Sequence, residues 1–243
     1  IVANTNKARF GTVHEGGKQV AETKSYLVIE YDGEFAGARE GINLPVYFEK
    51  EIIGVIGITG KRDQVERYGK IIKRMTELLI KDAYSNKLVS QQKETQRMLV
   101  EQLLTLTSDA EREDIAKRLS ISNIDTGVPR LAVAAKLKDD QIGMDQTEQI
   151  FQIFHDKFVK YHDNLIAQIH NNIVTFLSML KRDKLDQILD DIHGEIQDKL
   201  GVRIYIGVGC PAPNILNVKT SYEEAIVAQG WAIALNGSIK HYN

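Results

Sequence analysis

The chain has 243 residues, of which 43% are hydrophobic and 26% charged, and its formal net charge is −2. This length suits one or two globular domains, and the near-neutral charge disfavours a free-standing DNA-binding module. One cysteine, Cys210, excludes an internal disulfide, and no apolar run approaches the roughly eighteen residues of a membrane span. We therefore expect a cytoplasmic protein with no membrane partner.

Three short β-strands are predicted near the start of the chain, at 25–32, 42–48 and 52–59, because these runs are rich in Val, Ile and Phe. The link at 49–51 is so short that the last two strands should form an antiparallel hairpin. A helix over 12–23 is expected to pack on one side of this sheet. This is the outline of a PAS- or Cache-like sensor domain, which binds a small ligand between sheet and helix.

Polar residues around the predicted helix and strands indicate an anion site. Backbone N–H groups at the helix start, near Gly16 and Gly17, suit a negative charge. Arg39 can bind a carboxylate through two parallel hydrogen bonds. His14 and Asn43 can bond hydroxyl groups. Together these groups suit a small anion that carries carboxylate and hydroxyl groups.

Backbone groups of Gly41 and Ile42 extend this set, and Pro45 is expected at a strand edge or bulge beside the pocket. Glu15 argues against the anion site, being an anion itself, unless it caps the helix start. A simpler interpretation stays open, in which the glycines make turns and Arg39 is a surface residue.

A long helical stretch is predicted after Gly60, because no proline interrupts 60–128. Its apolar face is expected to pack on the sensor sheet or on a second copy of the chain. The residues of that face are Ile71, Ile72, Met75, Leu78 and Leu79. Either one continuous helix couples its two ends, or two helices pack together. A cap and restart is expected at 107–111, followed by a helix over 110–119.

From about Pro129 the pattern predicts a second domain with the order β-α-β-β-α-β-α and a final edge strand. The predicted elements lie at 131–137, 147–159, 165–169, 173–177, 181–200, 202–209, 222–234 and 238–242. This order resembles the palm-like core of GGDEF domains. In a cyclase the central hairpin carries glycines and acids that bind nucleotide and metal. Here the hairpin tip is His170-Asn171-Asn172, and Asp139 and Asp140 are the only carboxylates near the usual metal position.

We therefore predict no catalytic residue, no metal site and no cofactor, and we expect the second domain to mediate dimerisation or signal relay. The histidines of this part of the chain are scattered, without the spacing of metal ligands on one helix face. A nucleotide-handling enzyme of the diguanylate-cyclase type remains one alternative. A purely structural dimerisation module remains the other.

Four motifs carry a resemblance to a known family: HEGG at 14–17, REGINLPV at 39–46, EIIGVIGITG at 51–60 and RYG at 67–69. In order and spacing they resemble the sugar-diacid-recognition family of transcriptional regulators, of the CdaR type. The resemblance implies an activator that responds to glucarate, galactarate or glycerate. It also implies a diacid-recognition domain, a degenerate GGDEF-like domain and a C-terminal PucR-type helix-turn-helix. This chain is expected to be a fragment, truncated at its start and lacking the DNA-binding helices.

Matched to the family's motifs, with Gly17 added from the residue chemistry, the candidate ligand-binding residues are His14, Glu15, Gly16, Gly17, Arg39, Gly41, Ile42, Asn43 and Pro45. The predicted fold is α+β, with a PAS/Cache-like sensor domain at 1–80, a helical linker at 81–128 and a degenerate GGDEF-like α/β domain at 129–243. The expected partners are a sugar diacid or hydroxy acid and a second copy in a homodimer. DNA would be bound only through a C-terminal domain absent from this chain.

Overall fold

A computed structural model describes residues 1–137, 143–160, 163–178 and 182–242. The chain folds into two compact units, Ile1–Ser90 and Gln91–Asn243, with mixed α and β structure and mainly antiparallel sheets. The three-part division at residues 80 and 128 stays a prediction. None of the helices in the described residues combines the length and the apolar character that a membrane span requires.

The first unit contains a three-stranded antiparallel sheet, one whole α-helix and the first part of a second. Its elements are α1 (Glu15–Thr23), β1 (Leu27–Ile29), β2 (Gly41–Phe48), β3 (Glu51–Thr59) and α2 (Arg62–Thr105) as far as Ser90. The strand order is β1-β2-β3, and the predicted hairpin of β2 and β3 is confirmed. The predicted helix start at Thr12 is wrong, because His14 is the N-cap and helical geometry begins at Glu15.

Helices cover both faces of this small sheet. Side chains alternate along β2, so Ile42 and Leu44 lie on one face and Asn43 on the other. Gly69 of α2 lies against the first face, where an added Cβ would be 2.5 Å from Ile42 Cδ1. Gly16 of α1 lies against the second, where an added Cβ would be 3.0 Å from Asn43 Nδ2. Glycine on each helix therefore allows both to approach the sheet closely.

The stretch after Gly60 is one continuous helix, α2, from Arg62 to Thr105, and a separate helix follows from Asp109. Val65 and Gly69 of α2 are buried. The predicted apolar face, represented by Met75, is exposed, so the expectation that it packs on the sensor sheet is wrong. The predicted restart is confirmed at Ser108, which forms a reciprocal capping box with Glu111.

The second unit contains the end of α2 and a five-stranded sheet flanked by helices. Its further elements are α3 (Asp109–Ile121), β4 (Arg130–Leu137), α4 (Met144–Phe158), β5 (Leu165–Ile169), β6 (Asn172–Ser178), α5 (Arg182–Leu200), β7 (Ile204–Val208), α6 (Val218–Ala234) and β8 (Ile239–His241). The strand order is β5-β6-β4-β7-β8, and only the β7–β8 pair is parallel. The predicted element order and the edge strand are confirmed.

Alternation along β4 divides the core of this unit between the two faces of the sheet. Leu131, Val133 and Ala135 point into a cluster built with α4 and α5. Ala132 and Ala134 point into a second cluster, which contains residues of α3, α6 and the last turns of α2. The end of α2 is therefore part of the hydrophobic core of the second unit.

Contact between β7 and α6 is so close that it requires a glycine. A Cβ added at Gly207 would lie 1.9 Å from the carbonyl oxygen of Ala225 and 2.4 Å from the backbone nitrogen of Gln229. Both are backbone atoms of α6, so no side-chain rotation could relieve the clash. By contrast, a Cβ added at Gly230 on the same helix meets nothing within 4 Å.

These two glycines generate predictions of opposite sign. Gly207→Ala should lower the free energy of unfolding by about 2 kcal/mol or more, since overpacking forces backbone shifts. Gly230→Ala should raise it by about 0.5–1 kcal/mol, because alanine restricts the unfolded chain at no packing cost. Denaturation followed by the fluorescence of Trp231, the chain's single tryptophan, reports on this unit. Equal effects of the two substitutions would contradict the close contact of β7 and α6.

Candidate functional site

The N-terminus of α1 is capped by a histidine. His14 has extended backbone angles, and its Nδ1 accepts a hydrogen bond from the Gly17 N–H at 3.1 Å. The N–H of Glu15 donates to the Ala36 carbonyl at 3.4 Å, and the Glu15 carboxylate accepts from the Ala36 N–H at 3.3 Å. Capping by Glu15, one of the sequence interpretations, is therefore wrong. Its side chain instead holds the loop that precedes β2.

One backbone donor of this helix start is left without an acceptor. Within the described residues, the N–H groups of Glu15 and Gly17 have partners, whereas that of Gly16 has none. Gly16 itself is buried between the helix and the sheet. The first N–H groups of a helix have no partner within the helix, so the Gly16 N–H is available to a ligand.

Next to this donor lies the side-chain amide of Asn43. Asn43 is only 3% exposed, and its amide oxygen and nitrogen are not among the fully buried side-chain atoms that lack a hydrogen-bond partner in the described residues. An added Cβ on Gly16 would be 3.0 Å from Asn43 Nδ2 and 3.3 Å from His14 Cε1, so the three residues meet. The arrangement offers a carboxylate two neighbouring donors, Gly16 N–H and Asn43 Nδ2, at a positive helix end. Asn43 Oδ1 can accept from a hydroxyl group.

A second glycine, Gly57, lies on the other side of the same amide. β2 and β3 pair so that Asn43 is opposite Gly57, and a Cβ at Gly57 would be 2.6 Å from Asn43 Oδ1. The HEGG and EIIGVIGITG motifs therefore each place one glycine against the Asn43 side chain. The sequence interpretation did not include Gly57. The predicted hairpin could have indicated Gly57, because a hairpin that turns at 49–51 places residue 57 close to residue 43 in the opposite strand.

Gly41 and Ile42 have packing roles in the structure. An added Cβ on Gly41 would lie 2.0 Å from the Ile58 carbonyl oxygen, so β2 and β3 approach too closely for any other residue. Ile42 is buried on the α2 face of the sheet, together with Leu44 and Val65. The structure thus separates Ile42 from Asn43 by the thickness of the sheet. Their contact with a ligand stays a prediction.

Pro45 lies in the central strand, where a proline is tolerated for a local reason. β1 pairs with β2 only as far as Asn43, and the backbone nitrogen of residue 45 points to that same edge. The N–H of Tyr47, two residues on, donates to the Glu77 carboxylate at 3.0 Å instead of to a strand. The pairing of β2 and β3 shifts between Val46 and Tyr47. Pro45 therefore lies at a part of β2 that has no strand on its β1 side, next to the irregularity at Val46 and Tyr47.

Arg39 lies in the segment between β1 and β2, and it is exposed. Within the described residues its guanidinium has no hydrogen bond and no ion pair, and none joins it to His14 or Asn43. The structure therefore does not bring Arg39 together with the other candidate residues. Its cationic side chain is free to take a new partner.

A groove of about 440 Å³ lies on the α2 face of the sheet. Its lining combines an apolar floor that includes Ile42 with three lysines, Lys24, Lys70 and Lys73, and with Pro45 at one end. Two of these lysines already have carboxylate partners, at 2.9 Å for Lys70–Glu66 and 3.8 Å for Lys73–Glu77. The sequence interpretation did not include these lysines. Lys70 and Lys73 are three residues apart, a spacing that places both on one side of a helix.

In the second unit, four buried side-chain atoms have no hydrogen-bond partner among the described residues: Arg130 Nε, Thr175 Oγ1, His193 Nε2 and Asn214 Oδ1. The central hairpin turns at His170 and Asn171, with Asn172 already in β6. Within the described ranges, no three or more His, Cys, Asp or Glu side chains are grouped to hold a metal ion. The two carboxylates singled out from the sequence, Asp139 and Asp140, lie outside the described residues.

Family models match both units of the chain. The model for sugar diacid recognition matches residues 1–103, and the model for the GGDEF-like domain matches residues 107–230, half of the chain. The first match includes all of the candidate site residues. The second includes every strand of the five-stranded sheet except β8.

Two curated relatives and one solved structure are similar to this chain. The Carbohydrate diacid regulator of Escherichia coli is 27% identical over 184 residues, 74% of this chain and 45% of its own length. The uncharacterized protein YsfB of Bacillus subtilis is 38% identical over 85 residues, 34% of this chain and 23% of its own length. The chain thus spans less than half of these relatives. The GGDEF domain of a Pseudomonas aeruginosa protein, YfiN or TpbB, is 15% identical with a TM-score of 0.38, covering 58% of this chain and 98% of that domain.

The His14 cap predicts a pH-dependent stability. Burial, helped by the positive charge of Arg9, lowers the His14 pKa below its ordinary value of 6.5. The folded state therefore binds fewer protons than the unfolded state, so this contribution is present above pH 6.5 and is lost as the pH falls below it. Protonation of Nδ1 would also end its hydrogen bond with Gly17. His14→Asn should keep a cap without titration, since asparagine is a preferred N-cap residue.

We expect the free energy of unfolding, measured by circular dichroism in urea, to fall more between pH 8 and pH 5 in the wild type than in His14→Asn. The two proteins share all other titrating groups, so the difference between their losses reports on His14 alone. Identical losses in the two proteins would show that His14 does not cap α1 through an unprotonated Nδ1.

Proposed function

Because the chain belongs to the sugar-diacid-recognition (CdaR-type) family of transcriptional regulators, we propose that it is the ligand-sensing and relay part of such a regulator. The first unit binds a carbohydrate diacid or a related hydroxy acid, of the class of glucarate, galactarate and glycerate. Binding changes the packing around α1 and β2. The second unit, with its GGDEF-like domain, passes the change on.

The observation that carries this proposal is the close approach of the Asn43 amide to Gly16, whose N–H at the start of α1 has no partner within the described residues. A carboxylate accepts hydrogen bonds from Gly16 N–H and Asn43 Nδ2, and charge-assisted bonds of this kind are the stronger ones. A hydroxyl group on the adjacent carbon donates to Asn43 Oδ1. An α-hydroxy carboxylate, which every ligand of this class contains, matches these three groups.

Arg39 supplies the positive charge that a second carboxylate requires. It is the only residue of the candidate set with a cationic side chain at neutral pH, and it has no competing partner in the described part of the chain. Its loop is attached to the helix start through the hydrogen bonds between Glu15 and Ala36. A ligand that joins Arg39 to Asn43 would order this loop, and a diacid can do so because it carries a carboxylate at each end.

Relay follows from the continuity of α2. The helix contributes Val65 and Gly69 to the first unit and core residues to the second, without interruption. A ligand shifts such a system only if it prefers one of two packings of the first unit. The target of the relay is a PucR-type helix-turn-helix, which the family layout places after the GGDEF-like domain. The whole regulator acts as a cytoplasmic homodimer on DNA.

The two competing functions lack a comparable observation. A cyclase would need nucleotide and metal contacts at the central hairpin, whose turn here is His170-Asn171. A scaffold would need no ligand, and the contact of Asn43 with the start of α1 would then serve packing alone. We therefore propose that the chain is not an enzyme and that its second unit serves relay or dimerisation.

Ligand titration in a melting assay separates the three functions. Glucarate, galactarate or glycerate should raise the melting temperature in proportion to the logarithm of ligand concentration, because a ligand that binds only the folded state stabilises it. GTP with Mg²⁺ should have no effect. Stabilisation by GTP and Mg²⁺ alone would favour the enzyme, and no response to any of them would favour the scaffold.

Site variants locate the binding in calorimetry with the acid that gives the largest shift. Asn43→Ala should weaken binding by more than about tenfold, because it removes two hydrogen bonds to the ligand. Gly57→Ala should weaken it similarly, since its Cβ would displace Asn43 Oδ1. Gly54→Ala is the matched control on the same strand, because its Cβ meets nothing within 4 Å. Circular dichroism checks that each variant is folded.

Arg39→Ala should also weaken the binding of a diacid by more than about tenfold, the worth of one charge-assisted pair. Lys50→Ala, an exposed cation at the hairpin turn, is its control. Unchanged affinity in Arg39→Ala would remove Arg39 from the site. Unchanged affinity in Asn43→Ala would overturn the placement of the site beside Asn43.

A further inference from the structure

A second face of α2, turned away from the sheet, carries a row of exposed apolar side chains. We call it the outer stripe, and it consists of Tyr68, Ile71, Ile72, Met75, Leu78 and Leu79. Their exposures range from 43% to 67%. Isolated exposed apolar residues are ordinary, but six within three and a half helical turns form a contiguous patch. Such a patch on a soluble domain marks an interaction surface.

The spacing of the outer stripe is that of a coiled coil. Positions 68, 71, 75, 78 and 82 follow one another at intervals of three and four residues, as positions a and d of a heptad do. Ile72 and Leu79 take position e and widen the stripe. Of the residues that contact the sheet, Gly69 falls at position b, outside the seam, and Val65 falls at position e, before the first residue of the outer stripe. The helix thus has one face for its own sheet and another for a second helix.

Beyond the outer stripe, α2 stays exposed for a further ten residues. Every residue from 81 to 90 is exposed, over almost three turns, although Tyr84 stacks edge to face on Phe48 with ring centroids 4.8 Å apart. Helix propensity alone contributes little stability to such a segment. Tyr84, Leu88 and Val89 add further exposed apolar surface here. A second helix that packs along this segment would stabilise it.

We propose that the outer stripe is a self-association surface on which α2 of a second copy packs in parallel. The apolar area suffices for this partner. At about half exposure, six large side chains offer roughly 500 Å² per copy, so that a pair buries about the 1,000 Å² that a specific interface needs. The outer stripe would thus be the interface of the homodimer proposed above, whichever ligand the first unit binds.

Charge decides between the parallel and antiparallel arrangements. Arg67, Arg74 and Lys81 occupy position g along the edge of the outer stripe, and none is ion-paired within the described residues. In an antiparallel pair, position g faces position g, so these cations would repel one another. In a parallel pair they lie beside position e of the second copy, where their alkyl stems cover Ile72 and Leu79. Asp82 is at position a, inside the seam. In a parallel pair, Lys81 of one copy lies close to Asp82 of the other, so its positive charge offsets the negative charge of that carboxylate.

The test is the oligomeric state in sedimentation equilibrium. The wild type should be a dimer, and Leu79→Asp should raise its dissociation constant at least about tenfold, because it places a charge in the seam. Leu235→Asp is the matched control, since Leu235 is 69% exposed and Leu79 67%, and only Leu79 lies on the outer stripe. A monomeric wild type, or a Leu79→Asp protein that dimerises as well as the wild type, would overturn the proposal.

Cross-linking tests the parallel orientation. Tyr68→Cys, in a Cys210→Ser background, should form a disulfide between two copies under mild oxidation, because equivalent positions a face each other only in a parallel pair. Ile121→Cys, on an exposed residue outside the outer stripe, is the control. A dimer in which Tyr68→Cys does not cross-link would contradict the parallel arrangement. Calorimetry with the acid remains a separate readout, so loss of dimerisation and loss of ligand binding are distinguishable.

Discussion

Close packing around the Asn43 side chain organises the first unit. Gly16 of α1 and Gly57 of β3 lie on either side of its amide, and a Cβ at either position would come within 3.0 Å of it. The adjacent Gly16 N–H, at the positive end of α1, has no partner within the described residues. An amide and a helix N–H held side by side can both donate to one carboxylate. The proposed sensing of a hydroxy acid depends on this pair of donors.

α2 has different roles along its length, and each follows from which side chains it presents. Its first turns place Gly69 on the sheet, and its last turns enter the core of the second unit. Between them the helix presents the outer stripe and then a stretch in which every residue is exposed. A ligand that alters the first unit acts on a helix whose middle is mostly exposed, with Tyr84 stacked on Phe48. Self-association along that middle would stabilise it and join the two sensing units of a dimer.

The second unit has a GGDEF-like fold, and its central hairpin turns at His170 and Asn171. Both faces of its sheet are closed by buried apolar clusters, and β7 approaches α6 closely enough to require Gly207. A rigid body of this kind suits relay, because packed cores shift between discrete arrangements instead of deforming continuously. Its proposed role is therefore mechanical.

The sequence alone determined the elements whose causes are local. Alternating apolar residues predicted the strands, the short link predicted the β2–β3 hairpin, and the Ser108 capping box was readable from the order of its residues. Tertiary structure decided which residues meet. One residue along a strand changes the face of the sheet, so adjacent motif residues Ile42 and Asn43 lie on opposite sides. Asn43, Gly16 and Gly57 come from three separate elements, and only the folded chain brings them together. Which side of α2 contacts the sheet was likewise decided by glycine packing, a feature that apolar periodicity does not report.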